Sequence, residues 1–419
     1  MSERSSESPS SSHRRRFLKT SAVAGAGSLL VGRGASAQAP SGGAEGVKSY
    51  RRLGRTGLEV SDISFGSSRL RAGQENLVHH ALDLGVNYID TAEGYTGGTS
   101  ETVIGNALAG RRDKAYLVSK TITRANTSAE RMMEDLEGSL RRLKTDYVDV
   151  YMNHAVNDPA VVGNPEWLAF TEKAKTQGKI RFTGISGHGG YLIDCLDHAL
   201  DNDLIDVMLV AYNFGQDPKF YEGLTRGVDW IATQPDLPRA IAKAKKQDVG
   251  VVAMKTLMGA RLNDMRPYED QGATFAQAAF SWVLSNPDVD ALIITMRSEA
   301  DIDEYLGASG AREVSRAQRA LLDRYAHLNG ANYCKHACNL CTGSCPYEVP
   351  ISDVLRTRMY ATDYQDVEFA RDEYALLDVN AAACLSCSGE PCADACPNGI
   401  DIAGLCAPTH RMLSPERIA

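Results

Sequence analysis

Asn87-Tyr88-Ile89-Asp90-Thr91-Ala92-Glu93-Gly94-Tyr95 is the stretch on which the fold turns. Apolar side chains lead into an acid and then a glycine-bearing turn, so it reads as a short buried strand with polar groups at its C-terminal end. Segments of similar build recur at 62–66, 115–120, 148–154, 181–186, 207–213, 249–255 and 291–296. Between them lie stretches of helical character, such as 128–143 and 274–285. The second opens on Thr274 and has Pro287 just past its end. Eight strands alternating with helices over about 250 residues predict an α/β fold of the (β/α)8 TIM barrel type. An open doubly wound sheet would carry a G-x-G-x-x-G turn after its first strand, and none stands there.

Composition agrees with a folded chain. Of 419 residues, 43% are hydrophobic and 23% charged, which excludes wholesale disorder. Lys+Arg 45 against Asp+Glu 53 leaves a net charge of −8. No basic surplus exists to neutralise phosphates, so nucleic acid is not an expected partner.

The N-terminus reads as an address. His13-Arg14-Arg15-Arg16-Phe17-Leu18-Lys19 precedes an apolar run of small residues at 22–31, and Ala35-Ser36-Ala37 follows. Basic, apolar, then A-x-A is the order of an export signal. The Arg14-Arg15 pair with Phe17, Leu18 and Lys19 behind it resembles the twin-arginine type, which implies export of an already folded protein to the periplasm or another extracytoplasmic space. Residues 1–37 are assigned to the signal peptide and 38–49 to a linker. The apolar run is too short for a permanent membrane span, and no other segment has eighteen apolar residues in succession.

Ten cysteines are out of proportion, and eight of them lie between Cys334 and Cys396. The first run is Cys334-x3-Cys338-x2-Cys341-x3-Cys345-Pro346, the second Cys384-x2-Cys387-x4-Cys392-x3-Cys396-Pro397. Each finishes C-x3-C-P, as do the runs of bacterial two-cluster ferredoxins. That likeness implies crossed ligation. One [4Fe–4S] cluster would take Cys334, Cys338, Cys341 and Cys396, the other Cys384, Cys387, Cys392 and Cys345. The longer first gap of one run and second gap of the other depart from the ferredoxin spacing. Two zinc sites or four disulfides are the alternatives, although zinc knuckles lack the doubled finish. The expected organisation is a barrel over 50–312, a helical connector over 313–332 and a small ferredoxin-like 2[4Fe–4S] domain over 333–419. Cys195 reads as a buried apolar thiol, and Cys406 is a spare without an assigned role.

Barrel enzymes carry their chemistry at the C-terminal ends of strands. There the second strand offers Asp90, with Glu93 and Tyr95 in the following loop. The third offers Lys120, the fourth His154 and the seventh Lys255. Any one alone would be a loop ion pair or a hydrogen-bonding residue, and Lys255 is expected to be such an ion pair. Four groups on three successive strands suit carbonyl reduction, which delivers a hydride and a proton to opposite ends of one C=O. Tyrosine, with a pKa of about 10, is too weak an acid until an ammonium stabilises its phenolate. Lys120 can do that, Asp90 can keep Lys120 charged and aimed, and His154 can hydrogen-bond the carbonyl oxygen.

The run from Asn87 to Tyr95, with Val118-Ser119-Lys120-Thr121 and Tyr151-Met152-Asn153-His154, resembles the aldo-keto reductase family, over residues 50–308. The resemblance implies a catalytic tetrad of Asp90, Tyr95, Lys120 and His154, and NADP(H) as cofactor. Ser186, in Gly184-Ile185-Ser186, stands where the family grips the nicotinamide amide, and Tyr212-Asn213 matches its Y-N pair. Arg297 and Ser298 lie in its phosphate-binding stretch and would hold a 2′-phosphate, or else form an ordinary capped helix N-terminus. The chain departs from the family at Gly187, Leu209, Thr295 and Tyr305, where Asn, Gln, Gly and Asn are usual. His188 is similar to a histidine of iron–sulfur-bearing relatives, whereas the adjacent His79 and His80 carry no site. The combined expectation is an exported iron–sulfur oxidoreductase. It would interconvert a small carbonyl and an alcohol at Tyr95 and exchange electrons with a redox partner protein. The alternative is a non-catalytic electron-transfer subunit that keeps the barrel as a docking scaffold.

Overall fold

Short β-rich runs that are buried on both faces can pair only with one another, and in this chain they close a ring. The computed structural model describes residues 46–187, 191–216, 234, 236–257, 265–269, 273–329, 341–362, 367–375, 377, 379–396 and 399–414. The chain enters through an antiparallel hairpin of β1 (Tyr50–Arg52) and β2 (Glu59–Ser61). Eight parallel strands follow: β3 (Ile63–Gly66), β4 (Tyr88–Asp90), β5 (Tyr116–Thr121), β6 (Val148–Asn153), β7 (Ile180–Gly187), β8 (Val207–Ala211), β9 (Gly250–Met254) and β10 (Ala291–Thr295). β10 pairs with both β9 and β3, so the sheet is a closed barrel. All eight predicted strands are present, each within two residues of its expected ends.

Side chains alternate across the barrel wall. Tyr88, Val118, Val150, Met152, Val207, Leu209, Val252, Ala291 and Ile293 form the inner core. Leu53, Leu58 and Val60 of the hairpin join that cluster and stopper the end at which the strands begin. Arg52 and Arg55 pin the hairpin there through Asp248 and Asp203. The sequence reading did not include this hairpin.

Helices cover the outside, among them α1 (Glu75–Asp83), α2 (Thr99–Ala107), α3 (Ala129–Leu143), α4 (Pro159–Val162), α5 (Pro165–Thr176), α6 (Leu192–Asp201), α7 (Leu237–Lys246), α8 (Phe275–Leu284) and α9 (Glu299–Leu306). α3 starts because the Ser128 side chain accepts from Arg131 N. It buries Met132, Leu136, Leu140 and Leu143 along one stripe. α8 opens with a capping box in which Thr274 and Gln277 satisfy each other's backbone.

The connector forms as α10 (Arg316–Asn329), opened by reciprocal hydrogen bonds between Ser315 and Gln318. It lies along α8, with the Tyr325 ring stacked 4.5 Å from that of Phe275. Beyond it come α11 (Ile351–Thr362), α12 (Val367–Ala375), α13 (Pro391–Asp394) and α14 (Ile402–Leu413). Their buried residues, including Val354, Ala370, Tyr374, Ile402 and Leu413, are continuous with the apolar shell outside the barrel. Among the described residues this segment holds helices and turns and no strand, so its likeness to a ferredoxin lies in the order of its cysteines. The signal region, His188, Cys334 and Cys338 lie outside the described residues. No described helix is long and apolar enough to cross a membrane.

Leu53 fills the barrel end with no exposed surface, and its truncation leaves a hole that closed strands cannot collapse. Leu53→Ala is expected to lower the unfolding free energy by about 2–5 kcal/mol, read as a reduced urea midpoint with an unchanged slope.

Candidate active site

The mouth of the barrel collects the C-terminal strand ends. Asp90 closes β4, and its side chain points inward, as does that of Lys120 on the neighbouring β5. Lys120 Nζ donates to Asp90 Oδ1 at 2.7 Å and to the carbonyl oxygen of Thr91 at 2.5 Å. Lys120 and Asp90 are 0% and 1% exposed, so each charge depends on the other.

Tyr95 reaches this pair from the loop after β4. The turn Tyr95–Gly98 places Thr96, Gly97 and Gly98 at φ of 48°, 63° and 86°. The two glycines take that conformation without strain, while Thr96 is fixed by bonding Leu70 O through its hydroxyl. The loop is moored to β5 by Glu93 N donating to Lys120 O at 3.1 Å and by the Thr121 hydroxyl donating to Glu93 at 2.6 Å. Lys120 Nζ sits 5.0 Å from the centre of the Tyr95 ring. His154, just beyond β6, presents its ring edge-on to Tyr95, with centroids 5.7 Å apart at 78°. The four residues expected to act together are therefore brought together.

Their electrostatics differ from expectation in one respect. Burial pushes the Tyr95 phenol above the ordinary tyrosine range; Lys120 opposes that shift and Asp90 adds to it. The ammonium thus moderates the weakness of the acid without removing it. Burial pulls Lys120 toward neutrality, but Asp90 and Tyr95 outweigh it and its pKa lies above the ordinary value. Burial likewise raises Asp90 against the pull of Lys120. Asp90 Oδ2 is buried with no hydrogen-bond partner among the described residues.

The expected nucleotide residues separate into two groups. Ser186 is buried at the end of β7, and its hydroxyl accepts from Ala155 N at 3.1 Å, which holds the loop after His154. Asn213 accepts from Gly215 N and donates to Lys255 O, tying the β8 and β9 ends. Tyr212 is not brought to the mouth. It follows the inward Ala211, so alternation turns it outward against Trp282, with centroids 5.0 Å apart and its hydroxyl bonded to Asn286. Ser298 is the N-cap of α9, accepting from Asp301 N. Arg297 is 65% exposed, with Nε 3.6 Å from Asp301. Tyr305 is buried against Phe280.

Lys255 takes a left-handed backbone, φ 57°, and burial lowers its pKa. The ion pair expected of it is absent among the described residues. His79 and His80 are structural, bonding Ala107 O and Asp303. Cys195 is enclosed in α6, and burial pushes its thiol up to about 12.

The described cysteines carry no disulfide. Cys345, the last of the first run, lines one pocket with Cys384, Cys387 and Cys392, the first three of the second. That grouping equals one crossed ligand set. Cys341 is buried and Cys396 half-buried. No three His, Cys, Asp or Glu side chains among the described residues are set to hold a single metal ion. A cubane cluster places its thiolates on separate irons, so its ligands need not converge on one point as the ligands of a lone zinc do.

Residues 63–326 match the model of the Aldo/keto reductase family, and the match stops short of the clustered cysteines. The methylglyoxal reductase of Escherichia coli is 31% identical over 277 residues, covering 64% of this chain and 87% of its own. The L-galactose dehydrogenase of Arabidopsis thaliana is 28% identical over 286 residues, covering 62% and 87%. Among solved structures, an aldo/keto reductase from Klebsiella pneumoniae in complex with NADP and acetate superposes with a TM-score of 0.52 at 29% identity. It covers 67% of this chain and 96% of that one.

Replacing Lys120 by Met would strand the Asp90 carboxylate. The variant is expected to lose about 3–5 kcal/mol at neutral pH. The loss should shrink as the pH falls and Asp90 takes up a proton, and Asp90→Asn in the same chain should restore much of it. Chemical unfolding at two pH values would check both.

Proposed function

The chain belongs to the aldo/keto reductase family, and on that premise we propose that it interconverts a small carbonyl and an alcohol with NADP(H), outside the cytoplasm, in a protein that also carries two [4Fe–4S] clusters. The observation that carries the catalytic part is Lys120, enclosed, charged by Asp90 at 2.7 Å and lying 5.0 Å from the centre of the Tyr95 ring.

In the reducing direction Tyr95 is the proton donor. Its raised pKa keeps it protonated at neutral pH, and Lys120 stabilises the phenolate left when the proton moves to the carbonyl oxygen. Asp90 keeps Lys120 from turning toward solvent. His154, edge-on to Tyr95, is placed to bond the same oxygen and fix its approach. In the oxidising direction the phenolate takes the proton back. NADPH, when bound, supplies the hydride. Ser186 keeps a hydroxyl proton and Asn213 an amide proton for the nicotinamide end, so those residues fit it. Arg297 and Ser298 would meet the phosphates, with Arg297 exchanging Asp301 for the ligand.

Cys345, Cys384, Cys387 and Cys392 would hold one cluster, and Cys334, Cys338, Cys341 and Cys396 the other. The pocket that the first four share fits the crossed pattern. Such clusters supply one-electron transfer, which suits a redox partner protein. Arg14-Arg15 with the A-x-A site at Ala35–Ala37 supports export by the twin-arginine route. The rival reading, an electron-transfer subunit with an idle barrel, draws on the acids at the adenosine end, Glu299 and Asp301.

Tyr95→Phe decides between the two. Carbonyl reduction should fall roughly 10²–10⁴-fold with iron content unchanged, whereas an idle barrel would show no reduction to lose. The wild-type rate should stay flat through neutral pH and fall only beyond the ordinary tyrosine range, because the donor must be protonated and burial raises its pKa. Anaerobic purification should return about eight irons per chain with matching sulfide; zinc in their place would remove the cluster part of the proposal.

A further inference from the structure

The second gap of the second cysteine run, Cys387-x4-Cys392, is two residues longer than in the two-cluster ferredoxin pattern. Its residues are Ser388-Gly389-Glu390-Pro391, and they lead into the short helix α13. Glu390 stands there at φ 41° and ψ 42°, a left-handed backbone. Glycine takes that conformation without strain; glutamate does not. The proline that follows restricts the residue before it further. Gly389 stands one position away, so the conformation falls on the residue that carries a carboxylate. Ala393 N holds the backbone there by donating to Glu390 O at 2.9 Å.

Glu390 lines the pocket of Cys345, Cys384, Cys387 and Cys392. No other Asp, Glu, Lys, Arg or His is among the described residues that line it. The Glu390 side chain is exposed and does not cap α13. It has no hydrogen bond or ion pair among the described residues. Strained backbone persists where it serves a site, and this turn delivers a single uncompensated negative charge to the pocket rim.

We propose that Glu390 tunes the cluster held in this pocket, its carboxylate lowering the reduction potential. The inference rests on the iron–sulfur reading above. The four cysteines already complete a cluster, so the carboxylate has no need to ligate. Reduction adds one negative charge to the cluster, and a fixed negative charge at the rim opposes it. Water screens an exposed carboxylate, so the effect depends on salt.

The test uses the full chain, loaded with iron and sulfide under anaerobic conditions, as wild type, Glu390→Gln, Glu390→Gly and Glu348→Gln. Glutamine removes the charge and keeps the shape, while glycine removes the charge and suits the left-handed backbone, which guards against a folding failure. Glu348 is the control: it is also left-handed, at φ 54°, and exposed, but it does not line the pocket. Redox titration followed by electron paramagnetic resonance reads the midpoints. Equal iron in all four is expected, with one of the two midpoints raised in both Glu390 variants and a smaller change in Glu348→Gln. At the wild-type midpoint the ratio of reduced to oxidised cluster should rise about three- to tenfold in Glu390→Gln, the worth of one charge near a protein surface. The gap from wild type should narrow as salt rises from about 0.1 to 1 M. Unmoved midpoints with iron retained would overturn the role of Glu390. A shift in the glycine variant alone would overturn it by tracing the effect to the backbone, and an equal shift in Glu348→Gln by tracing it to general surface charge. Iron lost from both Glu390 variants would overturn it too, by making Glu390 a ligand. A wild-type chain that takes up no iron would instead remove the cluster reading on which the role rests.

Discussion

Two opposite charges enclosed at the barrel mouth constrain most of what surrounds them. Removing either the Asp90 carboxylate or the Lys120 ammonium from water costs several kcal/mol, and the cost is recovered only while both stand in register. Their register comes from the parallel ladder, in which Asp90 lies opposite Val118 and Lys120 opposite Met152. A slip of one residue would turn Lys120 to the helix side and leave Asp90 buried alone. The ladder, the loop that carries Tyr95 and the hydrogen bond from Lys120 to Thr91 O thus share one condition. The electrostatics of the phenol follow from it. Tyr95 is half-buried beside its enclosed partners, and burial rather than the ammonium sets the direction of its shift.

The sequence told most about the parts that repeat. Each barrel strand is a short apolar run, a pattern strong enough to read eight times, and the four tetrad residues follow because strand ends converge. What misled was side-chain direction at the strand ends. Tyr212 sits one residue past an inward position, and a motif match says nothing about which way a ring turns. Lys255 breaks the alternation with a left-handed backbone that no residue type announces. The entry hairpin is not legible in the sequence because its strands are three residues long and its apolar residues, Leu53, Leu58 and Val60, serve the barrel rather than the hairpin. Ser298 was legible both as a phosphate contact and as a cap, and the cap is what it forms.

The two ends of the proposed dinucleotide site differ in kind. Near the tetrad, Ser186 and Asn213 spend part of their hydrogen-bonding capacity on joining neighbouring strand ends and retain the rest. Their positions come with the barrel itself, so they persist whatever binds. At the α9 end, Ser298 is occupied by the helix start and Arg297 leans on Asp301, with Glu299 bonded to Asn76. A phosphate there would gain one guanidinium and the helix N-terminus against two carboxylates. The chemistry end is built into the sheet; the anchoring end depends on side chains that have other partners.

The cysteine segment is set by the same barrel. Phe214 follows Asn213 at the mouth, and its ring meets Phe275 and Tyr325 edge-on at 5.9 and 5.7 Å. Tyr325 belongs to α10, the helix that leads out toward the cysteines, and its stack on Phe275 fixes that helix against α8. Three aromatic rings thus join a strand end, an outer helix and the connector, where a flexible linker would have left the two halves independent. Apolar continuity carries the same tie beyond α10, through Val354, Tyr374 and Ile402. The pocket of Cys345, Cys384, Cys387 and Cys392 is therefore carried by elements packed onto the barrel's outer shell. An arrangement held by buried apolar contacts would keep the proposed redox centres at a fixed separation, on which electron transfer depends more than on any single residue along the way.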